Sequence, residues 1–388
     1  MARHLLVTND YPPKTGGIQV YLHELWRRLE PDRAVVLTAT SHPDTETFDA
    51  SSEIVVERIP AKTLFFPTWR AMRAIESAIA RHQPELVLLD PAWPLGLLGP
   101  RLSVPYGVVV HGAEVTAPGR IPVVASSLRY VLRNAAVVIC AGSYPESEVR
   151  RIIAEHAPPI IQVTPGVDTR RFAPLDPSRR APVRQSLGFA EGAFLVSSYS
   201  RLVPRKGMDT LIRAAARLHA QFPDLRVAIG GSGRDEKRLR TLATRLGSPV
   251  TFLGRVPDED LSDWLGASDL MVMDCRSRWF GLEQEGFGIV FVEAAATGVA
   301  QIAGRSGGSH EAVKNGVTGY VVGDSRSVDL LAQAIRSLMV DDDRRREFGR
   351  ASRASAIKRF EWDTLAARLS HELAPFDHFG GAQRLPYG

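Results

Sequence analysis

Glu285-Gly286-Phe287-Gly288-Ile289-Val290-Phe291-Val292-Glu293, continuing as Ala294-Ala295-Ala296-Thr297-Gly298, is the stretch whose reading decides the fold. An apolar run, Leu270 to Met273, precedes it; two glycines flank Phe287, and the residues after them are rich in Ala, Val and Glu. That order spells a strand, a turn and a helix start. Such a turn leaves unpaired backbone N–H groups at the positive end of a helix, a position suited to a phosphate. Glu285 and Glu293 would repel a phosphate, so each is expected to meet a hydroxyl group. A sugar nucleotide carries both kinds of group.

The chain has 388 residues, 44% of them hydrophobic, which is enough for two domains of roughly 150 to 200 residues, each with its own core. A formal charge of +5 and an isoelectric point of about 9.3 favour anionic partners: phosphates, nucleic acid or an acidic membrane face. Charge sign alone does not choose among them. Cys140 and Cys275 each close an apolar run, so they read as small buried hydrophobes in a reducing compartment, with neither metal-ligand spacing nor a disulfide framework. Met1 to Asp10 shows no secretory signal, and no apolar run reaches the roughly 18 residues of a spanning helix. The expectation is a soluble protein, or one lying on a membrane from the cytoplasmic side.

Working outward from the opening stretch, short apolar runs alternate with helical segments. Leu5 to Val7, Val35 to Thr38, Ile54 to Val56, Leu86 to Leu89, Val108 to Val110 and Val137 to Ile139 form a first set. Phe194 to Ser198, Leu225 to Ile229, Val250 to Leu253, Leu270 to Met273 and Ala300 to Ala303 form a second. Continuous apolar strands separated by helices predict parallel sheets covered on both faces, hence two doubly wound α/β halves. Asp168 to Gly188, rich in Pro and Arg, is the expected junction. The halves are placed at 1–168 and 169–359. Helices follow Ser325, with Phe360 and Trp362 ahead of a final one ending near Leu373. Phe360 and Trp362 could anchor that helix across the first domain or on its own. Residues 376–388, with few anchors, are expected to be disordered.

Several loops carry candidate chemistry. After the first strand, Gly16-Gly17 precedes a helical pattern and would let a ligand approach the backbone, although an ordinary turn accounts for such a pair equally well. It is neither a Walker A loop nor G-x-G-x-x-G. His111 ends the strand Tyr106 to Val110 beside Gly112, where its ring or carbonyl could face a substrate. In Ser200-Arg201-Leu202-Val203-Pro204-Arg205-Lys206-Gly207, Arg201 and Lys206 flank a loop leading into a helix, so both cations could converge on one diphosphate. The acidic triplets Asp258-Glu259-Asp260 and Asp341-Asp342-Asp343 read as helix starts, and no metal is assigned. Phe65, Phe66 and Trp69 with Arg70 and Arg73 suit shallow insertion among acidic headgroups, against the alternative of core aromatics beside a solvated face.

With these residues in place, the sequence resembles the family 4 glycosyltransferases, a retaining class of the GT-B fold. Gly16-Gly17, His111, the Arg201 to Lys206 pair and the E-x7-E element from Glu285 to Glu293 stand in that family's order across nearly the whole chain. LLVTNDYPPKTGG, SRLVPRKG and the Glu285 to Glu293 stretch are similar to actinobacterial GDP-mannose-dependent phosphatidylinositol mannosyltransferases, above all those adding the second mannose. The resemblance implies two Rossmann-like domains facing a cleft, the first on the acceptor side and the second holding the donor, with the terminal helix (360–375) returning to the first. Arg201 and Lys206 would hold the diphosphate. Glu293 would bind the ribose and Glu285 the donor sugar, helped by backbone N–H groups across Gly286, Phe287, Gly288 and Ile289. Val256 would meet the base through its main chain, and His111 would lie near the anomeric carbon. No cofactor is implied beyond the donor GDP-mannose. The implied partners are that donor, an anionic lipid acceptor and an acidic membrane surface on the inner face of the cell membrane, with no nucleic acid. Asp274, where similar enzymes tend to carry proline, and Ser309-His310, in place of a small residue and proline, depart from the pattern and bear on donor and acceptor choice. The alternatives are a family 4 glycosyltransferase using another nucleotide sugar and a soluble or different lipid acceptor, a sugar-nucleotide epimerase, and a nucleotide- or lipid-binding module without chemistry.

Overall fold

A computed structural model describes residues 3–40, 42–154 and 157–376. It resolves into two compact units, with breaks between Pro165 and Gly166 and between Glu361 and Trp362.

The first unit holds a seven-stranded parallel sheet. Its strands are β1 (His4–Thr8), β2 (Ala34–Ala39), β3 (Val55–Ile59), β4 (Leu86–Asp90), β5 (Tyr106–Val110), β6 (Val137–Cys140) and β7 (Ile160–Gln162), in spatial order β3-β2-β1-β4-β5-β6-β7. Leu5 pairs with Val35 on one side and Val87 on the other. Every residue of β1, β2, β4, β5 and β6 is buried, the signature of a sheet covered on both faces. The second unit repeats the plan with β8 (Phe194–Tyr199), β9 (Leu225–Gly230), β10 (Val250–Gly254), β11 (Leu270–Met273), β12 (Ala300–Gly304) and β13 (Gly319–Val322), ordered β10-β9-β8-β11-β12-β13. In both sheets the strand order reverses beside the first strand, between β1 and β4 and between β8 and β11. The carboxyl ends of those strand pairs are where a doubly wound sheet opens to a ligand.

The structure corrects several expectations. The Pro- and Arg-rich stretch expected to join the halves contains a helix, Pro177–Ser186, of the second unit. Its anchor is polar. Arg184, 3% exposed, donates to the carbonyls of Ala267 (2.8 Å), Glu191 (2.7 Å) and Ala193 (2.7 Å) and to Asp269 (2.7 Å), so no apolar stripe was there to be read. The boundary falls before Gly166 and not after Asp168, because the Val167 N–H donates to the Phe360 carbonyl at 2.7 Å and the Thr169 N–H to Glu361 at 3.2 Å. Phe360 and Glu361 therefore stay with the second unit, where the Phe360 ring packs against Phe287, 5.9 Å between centroids. Trp362 begins the helix Trp362–Leu373 of the first unit and meets Tyr21 edge-on at 6.5 Å. Phe376, expected in the tail, is 7% exposed; residues 377–388 of that expectation lie outside the described residues.

The edge strands β7 and β13, three and four residues long, are too short to stand out in sequence. Helices Pro122–Asn134 and Ser143–Ile153 bury regularly spaced apolar residues, Ala125, Leu128, Val131 and Leu132 in the first.

Candidate active site

In the second unit, the chain leaving β8 runs through Arg201 to a single turn, Pro204–Lys206, and into the helix Met208–His219. Gly207 joins turn to helix in the left-handed region, φ 72°, and a Cβ there would stand 2.0 Å from the carbonyl oxygen of Asp274, just past β11. Only glycine lets the loops from the two central strands lie this close. Lys206 is thereby held in the interior. Its Nζ lies 2.8 Å from Glu285 Oε2, with both side chains about nine-tenths buried, and Arg205 Nε stands 3.4 Å from the same oxygen.

Burial pushes the Glu285 carboxyl upward, but the neighbouring Lys206 and Arg205 outweigh it and hold the group below the ordinary carboxylate range. It is a firmly ionised acid between two cations. Within the protein its partners are Lys206 and Arg205. One of the three ammonium donors of Lys206 is used by that pair.

The backbone of Glu285 is fixed as well. Gly308 N–H donates to its carbonyl at 3.0 Å, and its own N–H reaches Ser306 Oγ at 3.3 Å. Ser309, one of the departures from the family pattern, is fully buried and donates to the Gly304 carbonyl at 2.6 Å, shaping this loop; His310 is exposed. Asp274, the other departure, is 1% exposed. Burial pushes its carboxyl up to about 8, with Arg276 pulling the other way.

Beyond Glu285, Gly286 and the buried Phe287 lead to Gly288, from which the helix Ile289–Ala296 starts without a side-chain cap. Its first N–H groups are the donors expected from the sequence. Glu293 lies on this helix. Burial, seconded by Asp258 and opposed by Arg171, pushes it up to about 7. Val256 is half-buried, its side chain packed where a Cβ on Gly230 would come within 2.6 Å. Arg201 is exposed at the start of the loop, five residues before Lys206. The structure therefore brings Lys206 and Glu285 together and adds Arg205, which the sequence reading passed over as part of a basic run.

A second cluster sits at the carboxyl ends of β1, β4 and β5 in the first unit. The His111 ring, 10% exposed, places Nε2 3.0 Å from Asp90 Oδ1, and Thr8 donates to Asp90 Oδ2 at 2.6 Å. Tyr21 covers the imidazole edge-on at 5.4 Å. Burial favours the neutral ring, yet the Asp90 charge and hydrogen bond, with Glu114 and Asp10, raise His111 above its usual range. The Asp10 N–H donates to Thr8 Oγ at 2.8 Å, and Gln19 reaches Asp10 Oδ1 at 2.8 Å. This last bond ties the Gly16-Gly17 turn, which opens the helix Gly17–Trp26, into the same cluster. Asp90 was missed although it ends an apolar strand, the same feature that singled out His111.

Elsewhere, Phe66 and Trp69 are 57% and 65% exposed, Phe65 is half-buried, and the Trp69 ring carries Arg70 and Arg73 at 5.6 and 5.1 Å from its centroid. Trp69 opens the helix Trp69–His82, capped by Thr68. Of the acidic triplets, Asp260 precedes the helix Leu261–Gly266 and Asp341 caps the helix Asp342–Arg359 by accepting from Arg344 N–H at 2.9 Å. No helix among the described residues is long and apolar enough to cross a membrane.

Comparison with known proteins fits this architecture. Residues 15–171 match the family model described as Glycosyltransferase Family 4, and residues 180–355 that described as Glycosyl transferases group 1. A GDP-mannose-dependent alpha-(1-6)-phosphatidylinositol monomannoside mannosyltransferase of Mycobacterium tuberculosis is 39% identical over 380 residues, 95% of this chain and 97% of that protein. The GDP-mannose-dependent monoacylated alpha-(1-6)-phosphatidylinositol monomannoside mannosyltransferase of Corynebacterium glutamicum is 36% identical over 95% of this chain and 97% of its own length. In fold, the Anabaena protein HepE, solved with UDP, superposes with a TM-score of 0.81 at 23% identity, over 96% of this chain and 100% of that one. With both units matched and such relatives spanning nearly its full length, the chain belongs to the family 4 glycosyltransferases of the GT-B fold.

Proposed function

We propose that this glycosyltransferase moves mannose from GDP-mannose to a phosphatidylinositol mannoside-type lipid, retaining the configuration at the anomeric carbon, without a metal, on the inner face of the cell membrane. The names of relatives 36 to 39% identical over 95% of the chain support the donor and the acceptor. The observation that carries the chemistry is the buried Lys206–Glu285 pair beside Arg205 and the uncapped start of the helix Ile289–Ala296.

In this reading the second unit binds the donor and the first the acceptor. As the bond between the anomeric carbon and the β-phosphate oxygen breaks, negative charge collects on the departing diphosphate. Lys206 and Arg201, with the helix N–H groups across Phe287, Gly288 and Ile289, stabilise it where a metal does so in other enzymes. Such preorganised groups are each worth about 3 kcal/mol. The acceptor oxygen bonds to the anomeric carbon on the face the phosphate leaves, and its proton passes to a phosphate oxygen. Glu285, kept ionised by its cations, orients the sugar and offsets the positive charge that develops on it. Glu293 takes the ribose hydroxyls, Val256 the base through its main chain, and His111, held by Asp90, stands near the reacting carbon. Phe65, Phe66, Trp69, Arg70 and Arg73 hold the protein to acidic headgroups.

Radiolabelled GDP-, UDP- and ADP-sugars incubated with acidic membranes, followed by lipid extraction, test the assignment. Label from GDP-mannose is expected in the lipid phase; label from another donor, or confined to the aqueous phase, points to a different donor or a soluble acceptor. Activity is expected to survive EDTA. Loss restored by Mn²⁺ would return Asp258-Glu259-Asp260 and Asp341-Asp342-Asp343 to consideration as ligands.

A further inference from the structure

The loop between β11 and Glu285 ends in an apolar tip that its own unit leaves exposed. Phe280 is fully exposed, Trp279 is 58% exposed and Leu282 40%. The tip is firmly held. Arg278 and Glu283 exchange backbone hydrogen bonds at 2.9 and 3.2 Å, Gly281 N–H donates to the Arg278 carbonyl at 3.0 Å, and the Leu282 N–H donates to the Trp279 carbonyl at 3.1 Å. Gln284 Nε2 closes the turn on the Gly281 carbonyl at 2.9 Å. Trp279 and Phe280 both adopt positive φ, 50° and 54°, a region bulky L-residues avoid. A hydrogen-bonded hairpin therefore turns two large aromatic side chains outward in a backbone conformation that burial within the chain does not offset.

Its flanks are cationic. The Arg278 guanidinium stands 4.5 Å from the centroid of the Trp279 ring and pairs with Glu283 at 2.6 Å; the exposed Arg234 reaches the same carboxylate at 3.5 Å. Exposed Trp, Phe and Leu beside guanidinium groups suit the boundary between acyl chains and acidic headgroups, where aromatic rings enter and cations meet phosphates.

We propose that the Trp279-Phe280-Leu282 tip, with Arg278 and Arg234 at its base, inserts into the interface of an acidic lipid bilayer. The five residues from Phe280 to Glu285 span at most about 18 Å even when extended. A tip at headgroup depth thus keeps the Glu285 carboxylate within reach of a lipid's polar end, a step that rests on the lipid acceptor proposed above. This surface lies in the second unit and is separate in the chain from the Phe66 and Trp69 patch of the first.

The test uses the full chain with phosphatidylcholine vesicles, with and without phosphatidylglycerol. Phe280→Cys is labelled with an environment-sensitive fluorophore, and the two native cysteines, both buried, stay unmodified. Emission is expected to shift to the blue only with the acidic vesicles. The double substitution Trp279→Ser and Phe280→Ser is expected to weaken vesicle binding about tenfold and leave transfer to a short-chain, water-soluble acceptor within about twofold of the parent. Unchanged emission, unchanged vesicle affinity, or equal loss with the soluble acceptor would overturn the inference, the last by assigning the tip to the donor pocket or to a protein partner. A blue shift without transfer to any lipid would support the insertion and remove the acceptor assignment instead.

Discussion

Lys206 and Glu285 hold each other in the interior of the second unit, so each substitution acts on two quantities. Lys206→Ala and Glu285→Gln are each expected to lower mannosyl transfer at least about a hundredfold, measured as label incorporated into lipid. From sequence, both changes look neutral for the fold. With both groups buried, Lys206→Ala also leaves the carboxylate with Arg205 alone, so a lower Tm is expected beside a native circular dichroism spectrum. Glu293 gives a pH signature. Burial pushes its carboxyl up to about 7, and the ionised form accepts at both oxygens, one for each ribose hydroxyl, whereas the protonated form turns one of them into a donor. The KM for the donor should therefore rise as pH falls from about 8 to about 6, and Glu293→Gln should flatten that dependence while raising KM throughout. A pH-independent KM in the parent would separate Glu293 from the donor. Both glutamates stand out in sequence from their place around a Gly-Phe-Gly turn. The difference between them was not: Glu285 has Lys206 and Arg205 within 3.4 Å, and Glu293 is left to burial and Asp258.

Among the elements, the turn from Pro204 to Gly207 and the end of β11 form a single joint. Gly207→Ala would force a Cβ against the Asp274 carbonyl at 2.0 Å in a left-handed conformation. A destabilisation of about 2 to 4 kcal/mol is expected in urea unfolding, with transfer activity falling because Lys206 moves with the turn. Full stability in that variant would show that the loops can separate. The strands β1, β2, β4, β5 and β6 were readable because burial on both faces writes a continuous apolar run. The helix Pro177–Ser186 was not, because a single buried arginine with four partners replaces the apolar stripe.

At the scale of the whole molecule, the chain crosses from the second unit back to the first between Glu361 and Trp362. Trp362, 3% exposed, seats the terminal helix beside Tyr21, and Arg28 pairs with Asp363 at 2.7 Å. Trp362→Ala is expected to cost about 3 to 5 kcal/mol, read as a lower urea midpoint for the first unit, whereas the same change at the exposed Trp279 should leave that midpoint in place. Equal midpoints for parent and Trp362→Ala would mean the helix contributes little to the first unit. Phe360 and Trp362 read alike in sequence, as an aromatic pair. They were divided by which side of the crossing each falls on.

What the sequence by itself determined is everything with a local period: alternating apolar runs and helices, glycine turns at strand ends, and the order of Gly16-Gly17, His111, the Arg201 to Lys206 loop and the two glutamates. Those features follow from backbone geometry and burial over a few residues. Only the tertiary structure decided which charges meet. Thr8 and Asp90 are 82 positions apart, and Arg205 and Glu285 80, and each pair adjoins because parallel strands with crossover helices deliver their carboxyl ends to one edge. Spacing along the chain does not encode that meeting, so the Asp90 support of His111, the Arg205 contact and the displaced pKa values of Glu285 and Glu293 appear only once the sheets are assembled.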